Sequence, residues 1–434
     1  MNTPQHVLGK VPHHLQMLYT PLGKRSIYNS VAYCNRCGMC SQSCPIYRLN
    51  AQEIYSPRGR NQILRLALER KIKLNKNNPV LRRSLETCLL CGRCTQACPG
   101  AIPTAQHVLE MRRKLNVRLL PRTLFTFLML RETHPRLFEK LARFALLLHR
   151  LWVLKIARFS GITYLLGLSW LHRIDAVIPR RTPNVHTYLK KLNINEQSPT
   201  PTLLYLPSLE AEFLLPHLLY NTLCCAQQAH KVCIWFNTAG GLFSYVYGDL
   251  RRSRHTLRKL INRHAHTGNG NLPLLTDSID VYNFLKQAPQ LFAENTRWER
   301  KAQQFADCVR FVTDILPKKL PSHTHFSLPV QLEYSSLFDR RPHPVQQAET
   351  ILYTLFNKNF VECLYTDADV PAFGYAFTQG NRAEQIGLQV AERIERTQAK
   401  TVFTLSGWSA LELSFLLKRL NPAVQVKHLV DIIR

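Results

Sequence analysis

Acidic side chains are scarce in this chain: 28 Asp and Glu stand against 57 Lys and Arg, a formal net charge of +29 over 434 residues. That imbalance points to a negative partner, whether an acidic protein, an anionic membrane surface or nucleic acid. A basic surface serving only solubility is the plain alternative. Nucleic-acid binding has charge alone behind it, since no helix-turn-helix, zinc-finger or RNA-binding signature accompanies it. H-E-x-x-H, P-loop and G-x-S-x-G motifs are missing too, and Gly240-Gly241 is too sparse for a nucleotide loop. His13-His14 and His323-x-His325 are pairs of the kind usually found as surface features. The N-terminus, MNTPQHVLGKVPHH, lacks the apolar core of a signal peptide. A membrane span is also lacking. The most apolar region, about residues 122–171, is interrupted by Arg131, Arg143, Arg150, Lys155 and Arg158. Its longest uncharged piece falls short of the roughly 20 residues a spanning helix needs. It reads as two or three amphipathic helices packed on the chain's own domains, with a basic, aromatic face resting on a membrane as the alternative. The expected location is cytoplasmic, with a peripheral place on the inner face of the cytoplasmic membrane as its variant.

Cysteine is what the chain has in quantity. Eight of its 13 cysteines crowd into residues 34–98. Without an export signal, such crowding means metal binding rather than disulfides. The first run is Cys34-Asn-Arg-Cys37-Gly-Met-Cys40-Ser-Gln-Ser-Cys44-Pro45, and the second is Cys88-Leu-Leu-Cys91-Gly-Arg-Cys94-Thr-Gln-Ala-Cys98-Pro99. Both follow C-x2-C-x2-C-x3-C-P, the bacterial ferredoxin spacing. Three thiolates spaced by two residues wrap a loop around one cubane. The fourth, expected to begin the next helical segment, points away and serves the other cluster. This assigns Cys34, Cys37, Cys40 and Cys98 to one 4Fe–4S cluster, and Cys88, Cys91, Cys94 and Cys44 to a second. Gly38 and Gly92 let the backbone approach closely. A pair of zinc sites is the alternative, but zinc needs four ligands and gives no reason for a trailing Cys-Pro, twice. Between the runs, Ser56 suits an N-cap and Pro57 the first helical position, with Ile63, Leu64, Ala67 and Leu68 forming an apolar stripe. A helical insert of this length marks the α-helical ferredoxin type. Arg58, Arg60 and Arg65 are read either as offsetting cluster charge or as a solvated basic face.

The chain is 45% hydrophobic, enough for two or three packed domains. The expected fold class is α followed by α/β. Residues 1–27 read as an arm, 28–118 as a ferredoxin domain and 119–198 as a basic helical connector. Beyond 199, β-type runs alternate with helical stretches: TLLYL (202–206), KVCIWF (231–236), DCVRFV (307–312), VQLEY (330–334), FVECLYT (360–366) and KTVFTL (400–405). The order of elements repeats, giving units at 199–325 and 326–434, each with an aromatic-rich loop after its second strand. Tyr245 and Tyr375 fall at matching points of those loops.

The run from Tyr33 to about Leu115 resembles the iron–sulfur subunit of glycolate oxidase and the lactate-utilisation and heterodisulfide-reductase iron–sulfur proteins. The likeness rests on both cysteine runs, on Pro45-Ile46-Tyr47 and on Ser56-Pro57-Arg58-Gly59-Arg60. It implies an electron-transfer subunit that takes electrons from a separate flavoprotein oxidising a 2-hydroxy acid. It implies a quinone or another carrier as acceptor and no substrate site of the chain's own. A non-catalytic assembly or redox-regulatory scaffold is the other reading. It also implies two repeats of the CCG type in the C-terminal half. There the family's cysteines are replaced, at Leu206-Pro207-Ser208, Asn237-Thr238-Ala239-Gly240-Gly241, Tyr334-Ser335-Ser336, Asp369-Val370-Pro371-Ala372-Phe373-Gly374 and Ser406-Gly407-Trp408. Without thiolates no cluster or zinc is held there. Cys224-Cys225 lies in a helix-like stretch, and Cys233, Cys308 and Cys363 lie in β-type runs as small buried hydrophobes.

Overall fold

The structure is a computed structural model. It describes residues 17–20, 23–115 apart from 76, 122–151, 200–317 apart from 237, 239 and 294, 326–361 apart from 335, 336 and 339–342, and 380–433, with scattered positions between 153 and 192. Tyr375, Cys363 and the second aromatic loop lie outside the described residues.

Strand β1 (Met17–Thr20) pairs antiparallel with β2 (Gly23–Ser26), from Met17 opposite Ser26 to Thr20 opposite Gly23. This replaces part of the expected arm with a hairpin. The reason is tertiary: β1 lies against the distant helix Ala288–Leu291, a partner that no local pattern reveals.

Seven short helices follow: α1 (Ile27–Ala32), α2 (Met39–Gln42), α3 (Pro45–Asn50), α4 (Pro57–Leu68), α5 (Pro79–Glu86), α6 (Arg93–Gln96) and α7 (Thr104–Leu115). Their starts are encoded locally. Ser56 Oγ accepts the Gly59 N–H at 2.9 Å, and Pro57 sets the first turn of α4, as expected. Asn78 Oδ1 accepts the N–H groups of Val80 and Leu81 at 3.0 and 3.1 Å ahead of Pro79 in α5. The apolar side of α4, with Leu64 fully buried, packs on Val108 and Met111 of α7. Two further helices, α8 (Arg122–Thr133) and α9 (Pro135–Arg150), pack on each other.

The remainder is built on two parallel four-stranded sheets. One contains β3 (Leu203–Leu206), β4 (Val232–Ile234), β5 (Leu274–Thr276) and β6 (Val309–Phe311) in the order β4-β3-β5-β6. The other contains β7 (Val330–Leu332), β8 (Phe360–Val361), β9 (Thr401–Thr404) and β10 (Gln425–His428) in the order β8-β7-β9-β10. Each sheet thus places its second, first, third and fourth strands in the same sequence, with helices as crossovers. β5 and β10 are additional to the β-type runs read from the sequence. Cys308 closes the helix Thr296–Cys308 rather than lying in a strand, and the loop after β4 carries a short helix, Leu242–Val246. Tyr245 is buried there, with ring centroids 5.4 Å from Phe284 and 5.5 Å from Phe338.

The sheets meet near the carboxyl ends of their strands. Ile279 donates its N–H to Leu405 O at 3.0 Å, and His428 Nε2 lies 3.0 Å from Asp277 O. Asn221 Nδ2 donates to Asp431 Oδ1 at 2.8 Å. The helical N-terminal unit packs on both. One apolar core joins Leu85, Leu90 and Val108 to Trp235, Leu257 and Phe338, and another joins Ile46 and Tyr55 to Val390, Leu413 and Leu417.

Candidate metal centre

The two cysteine runs have the same backbone. In each, the residue before the second cysteine and the glycine after it are left-handed: Arg36 at φ 56° and Gly38 at φ 87°, Leu90 at φ 58° and Gly92 at φ 72°. Alternation of this kind turns successive N–H groups toward one concave side, which suits an anionic iron–sulfur group. Two non-glycine residues held there mark a conformation that the surroundings impose. Gly38 and Gly92 then start α2 and α6, which carry Cys40 and Cys94.

Four of the cysteines line one cavity. Cys44, Cys88, Cys91 and Cys94 face it, with Pro45, Pro57, Arg60, Leu90 and Thr104 completing the wall. Cys44 reaches it as the N-cap of α3, as expected. Cys98 arrives differently from the expected helix start: Pro99-Gly100 form a turn, and α7 begins only at Thr104. Even so, Cys98 joins the other group. Burial, and then the neighbouring thiols of Cys34 and Cys98, push the Cys40 thiol up to about 11. The Cys94 thiol is also pushed up, by burial first and then by Cys44 and Cys88, with Cys40 a lesser neighbour. Seven of the eight thiols therefore sort into two neighbouring groups, Cys34, Cys40 and Cys98 against Cys44, Cys88, Cys91 and Cys94, each mixing cysteines from both runs.

Among the described residues, no three His, Cys, Asp or Glu converge as closely as a single metal ion requires. A cubane holds its thiolates at the corners of a wider tetrahedron, because each sulfur binds its own iron.

The walls fit a negative, thiolate-ligated cofactor. Arg60 is 1% exposed. Its Nε donates to Ser84 O at 3.1 Å, its Nη2 to Thr87 Oγ1 at 3.3 Å and its Nη1 to Cys44 Sγ at 4.0 Å. No carboxylate is among these partners. Burial opposes its charge, yet the sulfurs of Cys88 and Cys44 hold its pKa above the ordinary arginine value. A buried guanidinium without a carboxylate needs a negative neighbour, and deprotonated cluster ligands supply one. Arg58 and Arg65 do other work: they pair with Glu53 at 2.7 Å and Glu69 at 2.8 Å.

On the other side, Asn61 Nδ2 donates to Thr104 Oγ1 at 3.0 Å and to Cys34 Sγ at 3.9 Å. Its Oδ1 is 2.8 Å from His107 Nδ1, whose Nε2 is 3.0 Å from Ser30 Oγ. Burial lowers the His107 pKa to about 3, so the ring is neutral. The sequence reading missed Asn61 and His107; their signal was polar residues placed on helix faces that otherwise read as core.

The other described cysteines stand apart from these groups. Cys224 and Cys225 are in the helix Pro216–Ala226, Cys233 is in β4, and Cys308 Sγ donates to Gly270 O at 3.6 Å. At two positions where the resembling family would place cysteine, serine caps a turn or a helix. Ser208 Oγ accepts the Ala211 N–H at 3.2 Å, and Ser406 Oγ accepts the Ser409 N–H at 3.5 Å.

Comparison with known proteins agrees with this geometry. Residues 30–102 match the family described as "4Fe-4S dicluster domain". The "Probable glycolate oxidase iron-sulfur subunit" of Bacillus subtilis (strain 168) is 36% identical over 80 residues, 18% of this chain and 17% of that protein. The "Glycolate oxidase iron-sulfur subunit" of Escherichia coli (strain K12) is 33% identical over 69 residues, 16% of each chain. Both matches thus span less than a fifth of the relatives' length. No solved structure matches the chain. The N-terminal region therefore carries a 4Fe–4S dicluster domain and is homologous to iron–sulfur subunits of glycolate oxidase.

Proposed function

We propose that this chain is the electron-transfer subunit of a multi-subunit oxidoreductase, and that it relays electrons from a flavoprotein oxidising a 2-hydroxy acid such as glycolate or lactate. The observation that supports the reading is the sorting of seven of the eight thiols into two neighbouring groups, with Cys37 following Cys34 and Cys40 by its place in the first run. Cys34, Cys37, Cys40 and Cys98 would hold one cluster, and Cys44, Cys88, Cys91 and Cys94 the other. When bound, such clusters supply one-electron chemistry; the chain supplies position, charge and shielding. Arg60 balances the negative charge of the second group. Asn61 directs an N–H at Cys34, held in place by neutral His107. Leu90, buried beside Cys91, keeps water from the inner wall.

The domain organisation belongs to the same proposal: a dicluster unit over 28–118, a connector over 119–198, and two CCG-like units over 199–325 and 326–434 that have given up their cysteines and serve as a docking body. The shared strand order of the two sheets supports a duplication. Onward transfer would go to a quinone or another carrier, with the complex peripheral to the inner face of the cytoplasmic membrane.

The test is a complex with the flavoprotein, followed by electron paramagnetic resonance under anaerobic conditions. Adding the 2-hydroxy acid should reduce two distinct clusters reversibly. Cys40→Ser and Cys94→Ser should each alter a different signal and cut turnover at least about tenfold. Unchanged turnover in both variants would sink the relay.

A further inference from the structure

Helix α9 has two apolar faces, and among the described residues only one of them is covered. Phe138 and Ala142 turn inward and pack with Phe127, Leu130 and Leu146 against the first sheet unit. The Phe138 and Phe213 rings meet edge to face at 5.6 Å, and beside them Arg131 pairs with Glu212 at 3.0 Å in a buried ion pair. That anchoring fixes which side of the helix looks outward.

The outward side carries Leu137 at 47% exposure, Leu141 at 40%, Phe144 at 57%, Leu147 at 49% and, just past the helix end, Leu151 at 60%. Their spacing of three or four residues sets them in one stripe along the helix. Helices facing water carry polar residues there. Arg136, Lys140, Arg143 and Arg150 belong to the same helix, against one acid, Glu139, which is paired with Arg143. By helical periodicity, Arg136, Arg143 and Arg150 fall on one flank of the stripe.

We propose that this face of α9 lies in the plane of an anionic membrane surface, with the leucines and Phe144 among the acyl chains and the basic edge among the headgroups. Charge complementarity selects this occupant. A second copy of a +29 chain would bring like charge against the basic edge, whereas an anionic leaflet supplies both an apolar layer and negative charge. No helix among the described residues is long and apolar enough to cross a membrane, so the contact is one of lying on the surface. The proposal deepens the peripheral location given above and is independent of the relay.

The probe is sedimentation of the cluster-loaded full chain with vesicles of phosphatidylglycerol and phosphatidylcholine, against phosphatidylcholine alone. The chain should bind the anionic vesicles at least about tenfold more tightly, and high salt should weaken binding. Phe144→Asp with Leu147→Asp, and separately Arg136→Gln with Arg143→Gln and Arg150→Gln, should each weaken it about tenfold with the visible absorbance of the clusters unchanged. Anionic-vesicle binding that survives the double Asp variant overturns the proposal. So does a wild-type dimer that this variant splits into monomers, or a flavoprotein complex lost on the same change when the wild type shows no lipid binding. Cluster reduction by the flavoprotein in lipid-free solution tests the relay separately.

Discussion

Arg60 is a charge placed where water cannot reach it, with a thiol, a hydroxyl and a carbonyl around it. Such a group favours whichever state of its neighbours is more negative. For a cluster that is the reduced state, so under the proposed ligation Arg60 would raise the reduction potential of the one held by Cys44, Cys88, Cys91 and Cys94. Arg60→Met should lower that potential by on the order of 100 mV, taking an effective dielectric near 20 and a separation of several ångströms. The other cluster should move much less, and Arg60→Lys should recover part of the change. Potentiometric titration followed by electron paramagnetic resonance reads both clusters at once, and equal shifts in the two would contradict the assignment. Of the three arginines legible in the sequence as possible counter-charges, Arg60 is the one that is buried and donates to a sulfur, while Arg58 and Arg65 pair first with carboxylates and feel Cys40 and Cys34 only as lesser charges. The choice depended on Glu53 and Glu69 lying within reach of Arg58 and Arg65.

Helices α1, α4 and α7 are joined by the chain Ser30, His107, Asn61 and Thr104 as well as by apolar packing. His107 has an ordinary pKa of 6.5 and is held near 3 by burial. The unfolded chain therefore takes up a proton that the folded chain refuses, so stability is present above pH 6.5 and is lost as pH falls below it. Between pH 6.5 and 5 the loss attributable to this ring is about 2 kcal/mol. Asp280, pushed up to about 7 by burial, has the opposite slope, since it favours the fold most at low pH. Comparing wild type with His107→Gln isolates the histidine: urea midpoints at pH 7 and 5 should converge in the variant. Elements of this kind show what a sequence discloses. The cysteine spacing, the caps at Ser56 and Pro57, and strands β3, β4, β6, β7, β8 and β9 rest on patterns a few residues long. β5 has three residues directly after Pro273, and β10 reads Gln-Val-Lys-His, with an exposed first residue. Neither carries a β-type run, because each is fixed by strands distant in the chain.

The dicluster unit is not a free module. Arg112 of α7 is buried and donates to Leu85 O at 2.7 Å, to Cys88 O at 3.0 Å and across to Val246 O at 3.4 Å. It ties the second cysteine run to the first sheet unit, while Phe338 donates its N–H to Leu90 O at 2.7 Å from the second. Arg112→Ala would strand these carbonyls in an apolar wall and should cost about 3 kcal/mol. Chemical denaturation should show that loss, and hydrogen exchange should rise at amides of both Leu85–Cys88 and Tyr245–Val246. A change confined to one side would mean that the two units are not coupled through this residue. This embedding gives the eight cysteines unequal fates. Cys44 is buried, six are half-covered, and Cys37 stands exposed. Under the proposed ligation, the iron at Cys37 is the corner that oxygen and chelators reach first. Air damage would begin with the loss of that one iron, before the cluster behind Arg60 is reached. The working life of the whole assembly would then be set by how fast a single solvent-facing corner is attacked and refilled.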